Sequence, residues 1–256
     1  MGARPRIVAV TTALFGVALL ASACAQGQAL RSDAIVASEE VTIEASDGTA
    51  LAGRVFGPSD ATAGIVFAHM AGSDQSAWYV EAQRMADAGY RTLTYDARGT
   101  CPGGDAGCSD GEADPSEGPS DLAAAVSYLR DGSVERIALV GASMGGTAAL
   151  SLAATAPTGV AAVVTLSAPQ TFSGLGVSPE TLSSLPTATL FVAGTGDAAA
   201  AADAQRMQGS AAQPSSLEIV TSDDHGTDLL TGNAGGRVRD AMDAWIGRYL
   251  AEDATP

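Results

Sequence analysis

Five short apolar runs, at residues 64–68, 91–95, 137–140, 160–166 and 189–193, are nearly continuous instead of alternating with polar positions. A strand with one wet face alternates, so such runs suit parallel strands covered on both faces. Helical spacings lie between them: Trp78, Ala82, Met85 and Ala86, then Leu122, Ala125, Val126 and Leu129. Near the C-terminus a full apolar stripe runs through Val238, Ala241, Met242, Trp245, Ile246, Tyr249 and Leu250. Buried strands alternating with helices predict an α/β fold built on a mostly parallel, doubly wound sheet. Two earlier runs, 41–45 and 51–56, split by Asp47-Gly48, predict a leading antiparallel hairpin. Residues 217–221 predict the last strand.

The 256 residues hold one such domain and are too few for two. All 13 basic residues are Arg, against 29 acidic ones, for a formal net charge of −16. A surface for nucleic acid needs clustered cations, so no nucleic-acid partner is expected.

The first residues read as an export signal. Arg4 and Arg6 precede an apolar run over 7–20, then Ala21-Ser22-Ala23 and Cys24. A cationic start, a short apolar stretch and small residues before a cleavage point make a secretory leader. The run is short for a membrane span. Cys24, directly after small residues, resembles the lipidated Cys of a bacterial lipoprotein, although Ala21 stands where Leu is usual. The expected organisation is a leader at 1–23, a polar tether at 24–39 and a domain at 40–252. The product is a cell-envelope lipoprotein, or else a secreted protein, touching membrane only through its lipid anchor. Export also favours a disulfide between Cys101 and Cys108 across CPGGDAGC, with two free thiols as the alternative. Zinc is not expected there, because no further ligands sit nearby.

Gly141-Ala142-Ser143-Met144-Gly145-Gly146 follows the 137–140 strand and precedes a helical stretch. This is G-x-S-x-G in the strand–turn–helix context where it carries a nucleophile. The turn is so tight that residues two before and two after the Ser must lack bulk. A serine hydroxyl needs a base, and the chain holds only His69 and His225. His225 follows the last expected strand, where an open α/β sheet gathers its reactive groups. Asp197 ends Gly194-Thr195-Gly196-Asp197, directly after the 189–193 strand, and is the expected partner of the imidazole. Asp223 and Asp224 are rivals, being local to His225.

Taken together, Ser143, Asp197 and His225, in that order, resemble the α/β-hydrolase superfamily over residues 41–251. The likeness is greatest to cap-less esterase, lipase and dienelactone-hydrolase-like serine hydrolases. Ala68-His69-Met70-Ala71-Gly72 stands where that family has a His-Gly loop supplying an oxyanion-hole amide. Tyr95-Asp96-Ala97-Arg98-Gly99 stands where it has an Asp-x-Arg-Gly turn. The resemblance implies an oxyanion hole from the amides of Met144 and Ala71, with Met70 as the alternative to Ala71. His69 is expected to be structural, and Asp96 with Arg98 a turn-stabilising ion pair. The Cys101–Cys108 segment interrupts the usual motif and moves its later Ser to Ser109.

The implied chemistry is acyl transfer on a small-molecule ester, with no cofactor and no metal. Residues 167–188 are too few for a helical cap, which predicts a shallow, open site. Two other classes stay open at this level. One is a non-catalytic envelope binding protein on the same fold; the other is a peptidase, thioesterase or acyltransferase on the same scaffold.

Overall fold

The computed structural model describes residues 1–2, 38–101, 108–155 and 159–251. The chain divides into Met1–Ala37 and Ser38–Pro256, and the architecture below belongs to the second unit. The expected leader over 1–23, the expected lipidation site Cys24 and most of the expected tether fall outside the described residues.

The sheet begins with the expected hairpin, β1 (Ser38–Glu44) and β2 (Ala50–Phe56), paired antiparallel from Ser38↔Phe56 to Glu44↔Ala50. Gly48 turns it at a φ of 86°, where a side chain would be strained, and the Thr49 N–H donates to Asp47 Oδ1 at 3.0 Å. There follow β3 (Ala63–Ala68), α1 (Tyr79–Asp87), β4 (Arg91–Tyr95), α2 (Gly118–Asp131), β5 (Arg136–Ala142), α3 (Met144–Thr155) and β6 (Val160–Leu166). A short hairpin, β7 (Thr171–Phe172) and β8 (Leu175–Gly176), and a single turn of helix, α4 (Pro179–Ser183), fill the link to β9 (Ala188–Gly194). The chain closes with α5 (Ala198–Ser210), β10 (Ser215–Val220), α6 (Asp228–Thr231) and α7 (Gly235–Leu250). The final strand starts two residues before its expected position.

Eight strands form one sheet in the order β1-β2-β4-β3-β5-β6-β9-β10. From β4 to β10 every neighbouring pair is parallel, while β2 meets β4 antiparallel. Continuous apolar strands are what such a sheet requires, because side chains alternate between two covered faces. Along β5, Ile137 and Leu139 join the layer under α2, α3 and α5, with Leu122, Leu150 and Met207. Ala138 and Val140 join the opposite layer with Trp78, Met85, Val238, Met242 and Ile246 of the α1 and α7 side. Each Val, Leu, Ile or Met among them, fully buried, contributes about 1.5–3 kcal/mol by leaving water. The terminal apolar stripe is thus the seam that seats α7.

The helices after β3 and β5 lie on opposite faces, so the loops leaving these neighbouring strands diverge. This is the switch point where open α/β sheets bind ligands, beyond the carboxyl ends of the strands. The His69–Gly72 loop and Ser143 both lie there.

Candidate active site

Ser143 occupies the residue between β5 and α3 at a φ of 48°, a left-handed conformation that a non-glycine residue adopts at a cost. The turn is held by its own backbone: Ser143 N–H donates to Leu166 O at 2.8 Å, and Gly146 N–H donates to Ser143 O at 2.9 Å. The flanking glycines are required by contact. A Cβ at Gly141 would stand 2.3 Å from Gly145 O, and one at Gly145 would stand 2.4 Å from Ala68 O. The elbow is therefore pressed against the end of β3, which brings Ser143 beside the His69–Gly72 loop.

His225 and Asp197 are brought together from separate loops. The imidazole Nδ1 lies 2.5 Å from Asp197 Oδ2. Asp197 is also the N-cap of α5, its Oδ1 accepting the Ala200 N–H at 3.3 Å. A carboxylate at a helix N-terminus is favoured by the exposed N–H groups there. The two rivals are engaged elsewhere. Asp224 Oδ2 accepts the Ser222 hydroxyl at 2.6 Å, and Asp223 packs where any side chain on Gly196 would collide with its Oδ1. His225 is nearly half exposed, and Gly226 beside it seats the loop. A Cβ on Gly226 would stand 3.5 Å from the Ala142 Cβ and 2.7 Å from Met70 Sδ. Met70 thus packs under the histidine loop.

The amides expected at the oxyanion hole lie on one cleft, lined by both Ala71 and Met144. Met144 is the first residue of α3, where an N–H has no acceptor within the helix. Met70–Ser73 forms a turn, with Ser73 N–H donating to Met70 O at 3.2 Å and Gly72 at a φ of 74°. His69 is buried and both its nitrogens are used: Nε2 accepts the Ala97 N–H at 3.0 Å, and Nδ1 donates to Met70 O at 2.9 Å. The N–H that Nε2 accepts places the proton on Nδ1, so the ring is a neutral strut between the loops after β3 and β4.

Asp96 and Arg98 do not pair with each other, contrary to expectation. Asp96, fully buried, accepts the Gln75 N–H at 2.8 Å and Gln75 Nε2 at 2.7 Å. Burial raises its carboxyl above the ordinary range, against the pull of the Gln75 bonds. Arg98 turns to the first turn of α2, donating to Asp121 at 2.7 and 3.0 Å, and to Asp47 at 2.9 Å. Both residues lie past the end of β4, and their partners come from different segments, Gln75 ahead of α1 for Asp96 and Asp121 in α2 for Arg98. Cys101 and Cys108 are joined as a disulfide, next to a ladder of Gly99 N–H to Asp110 O and Ser109 N–H to Thr100 O. Ser109 Oγ donates to Asp96 O at 2.7 Å and accepts the Ala52 N–H at 2.9 Å, tying this segment to β2.

Length alone predicted an open site, and one wall is higher than that. Phe172↔Leu175 pairing leaves Ser173 and Gly174 as a two-residue turn, both at positive φ, the I′ arrangement that matches strand twist. The hairpin tip reaches a one-turn 3-10 helix at Pro115–Glu117, where a Cβ on Gly174 would stand 3.7 Å from Ser116 Cβ. Phe172 lines the cleft and Ser143 is only 8% exposed. Phe172 and Asp114 were not singled out in the sequence. The signals were present, in the Ser173-Gly174 turn dipeptide and in Asp114 capping a Pro-led turn.

Residues 65–249 match the family described as the alpha/beta hydrolase fold. The chain belongs to that family. Among solved structures, an esterase of Pyrococcus furiosus superposes with a TM-score of 0.72 at 16% identity, covering 96% of this chain and 97% of its own. A dienelactone hydrolase of Anabaena variabilis gives 0.68 at 23% identity over 84% of this chain and all of its own. A thermophilic esterase of Thermogutta terrifontis gives 0.67 at 17% identity over 83% and 100%. At these identities the likeness establishes the α/β-hydrolase fold. No curated protein matches the chain.

Proposed function

We propose that this α/β-hydrolase-fold protein is an exported serine hydrolase that cleaves a carboxylic ester through Ser143, His225 and Asp197. The observation that carries the reading is the 2.5 Å contact of His225 Nδ1 with Asp197 Oδ2, in the loop that packs against the nucleophile elbow. The similar esterase folds agree with it.

Ser143 Oγ attacks the ester carbonyl as His225 Nε2 takes its proton. Asp197 holds the imidazole through Nδ1–H and stabilises the imidazolium as it forms. The N–H of Met144, with that of Ala71, receives the negative charge on the carbonyl oxygen. One such donor is worth about 3 kcal/mol in the transition state. His225 then protonates the departing alcohol, and water, deprotonated by the same ring, releases the acid from Ser143. No step requires a group beyond these side chains and amides.

Export and attachment through Cys24 rest on the cationic, apolar and small-residue pattern before it. The Cys101–Cys108 disulfide agrees with an oxidising compartment. The test of the chemistry is labelling by a fluorophosphonate with peptide mapping, beside Ser143→Ala. An adduct on Ser143, absent from the variant, is expected. A folded protein that takes up no probe and hydrolyses no ester would overturn the reading in favour of a binding protein.

A further inference from the structure

This inference rests on Ser143 being the nucleophile and concerns what the cleft beside it, lined by the expected oxyanion-hole residues Met144 and Ala71, accepts. The cleft measures about 360 Å³, and its lining includes Met144 and Ala71, where the ester carbonyl would lie, together with Phe172 and Pro115. An apolar cavity of about 150 Å³ holds one benzene molecule, so this larger cleft, partly open to solvent and not filled throughout, suits a group of roughly six to ten non-hydrogen atoms. Phe172 sits on a hairpin closed by a two-residue turn, whose tip rests on the Pro115–Glu117 turn.

The charges around the cleft are equally specific. Two basic residues line it, and both are already engaged. His69 is neutral with both nitrogens bonded, and the charge of Arg98 is matched by Asp121 and Asp47. At the rim, Asp114 carries an anion. Its Oδ1 accepts the Ser116 hydroxyl at 2.7 Å and the Ser116 N–H at 3.0 Å, bonds that hold its carboxyl below the ordinary range. A carboxylate entering here meets the Asp114 charge, and the nearby Arg98, which also attracts Asp114, is already held by Asp121 and Asp47.

We infer that the cleft takes an uncharged, short aliphatic group flanking the ester carbonyl, with Phe172 setting its length and Asp114 turning away carboxylate-bearing substrates. The group is either the acyl chain or the alcohol, and two substrate series separate them. One is p-nitrophenyl esters from acetate to laurate; the other is acetates of methyl to octyl alcohols. In the full-length protein, one series should show a short-chain optimum. Phe172→Ala should move that optimum at least two carbons longer, with kcat/KM for the longer esters rising about tenfold. Phe172→Trp should move it shorter, a pair of opposite shifts that loss of folding does not produce.

The charge filter is read from p-nitrophenyl hexanoate against the mono-p-nitrophenyl ester of glutaric acid. The neutral ester should be favoured by about 100-fold at low salt, and less at high salt. Asp114→Ser keeps a capping oxygen for Ser116 but removes the charge, and should narrow the ratio at least fivefold. Chain-length optima unmoved in both series by either Phe172 variant, or equal rates on neutral and charged esters, would overturn this inference while Ser143 labelling stands. A protein that neither labels nor hydrolyses any ester would overturn the nucleophile assignment and this inference with it.

Discussion

Asp197 Oδ2 lies 2.5 Å from His225 Nδ1, across 28 positions of sequence, while its Oδ1 caps α5 through Ala200. One carboxylate therefore anchors both a helix and the imidazole. Asp197→Asn keeps an oxygen able to cap but presents the wrong partner to the ring. Its kcat should fall on the order of 10⁴-fold with little change in Tm. Asp197→Ala should lose a similar rate and also about 1 kcal/mol of stability. Steady-state kinetics beside thermal melts separate the two roles, and equal Tm values for the two variants would show that the cap contributes nothing.

The elbow tolerates no added bulk at Gly145, where a Cβ would press on the Ala68 carbonyl. Gly145→Ala should destabilise the fold by about 1–3 kcal/mol, lowering Tm by several degrees. Ester hydrolysis should fall further than stability does, because relieving the clash moves Ser143 away from the His69–Gly72 loop. Wild-type turnover in this variant would contradict the contact.

Arg98 matters for stability through Asp121, which is fully buried and also accepts the Arg98 N–H at 2.9 Å. Arg98→Met leaves a buried carboxylate without its cation, at a cost of about 3–5 kcal/mol. Asp47→Asn, which removes only the exposed partner, should cost far less. Urea unfolding of both variants gives the comparison.

The Asp47 carboxyl is held down at about 2, first by the Thr49 N–H and hydroxyl and then by Arg98. A carboxylate depressed in the folded state adds stability that is complete above its unfolded value of about 3.9 and is lost as pH falls through the folded value. Carboxyl NMR should therefore place the Asp47 midpoint near 2. The stability difference between wild type and Asp47→Asn should shrink as pH falls from about 4 to about 2. A midpoint at the ordinary value would refute the contribution of these bonds.

Anchoring through Cys24 is tested by feeding labelled fatty acid to expressing bacteria. Wild type should incorporate label and sediment with membranes, whereas Cys24→Ser should do neither. Label retained by the Ser variant would exclude Cys24 as the lipidated residue.

Much of this architecture was legible before folding. The inner strands of the parallel sheet showed as short, nearly continuous apolar runs, because a strand covered on both faces leaves few positions for exposed polar groups, whereas the half-exposed edge strand Ser215–Val220 showed less clearly. The elbow was legible because its demands are local: Gly141 and Gly145 meet each other within five residues. His225 was legible from scarcity and place, as one of two histidines and the one that follows the last strand. Phe172 was not, since a two-residue strand carries no periodicity and its hairpin exists by virtue of one turn and what the tip rests on.

By itself, then, the sequence determined the alternation of strands and helices, the strained position of Ser143 and the short list of groups able to serve it. Those follow from side-chain period and backbone sterics, which act over a few residues. The tertiary structure brought the expected Asp197, and neither rival, to His225, and it alone decided that Arg98 answers Asp121 and not Asp96 and that a hairpin walls the cleft. Charges and hydrogen bonds are satisfied by whatever lies within about 3 Å. Sheet order brings those neighbours together, from positions that may stand dozens of residues apart along the chain.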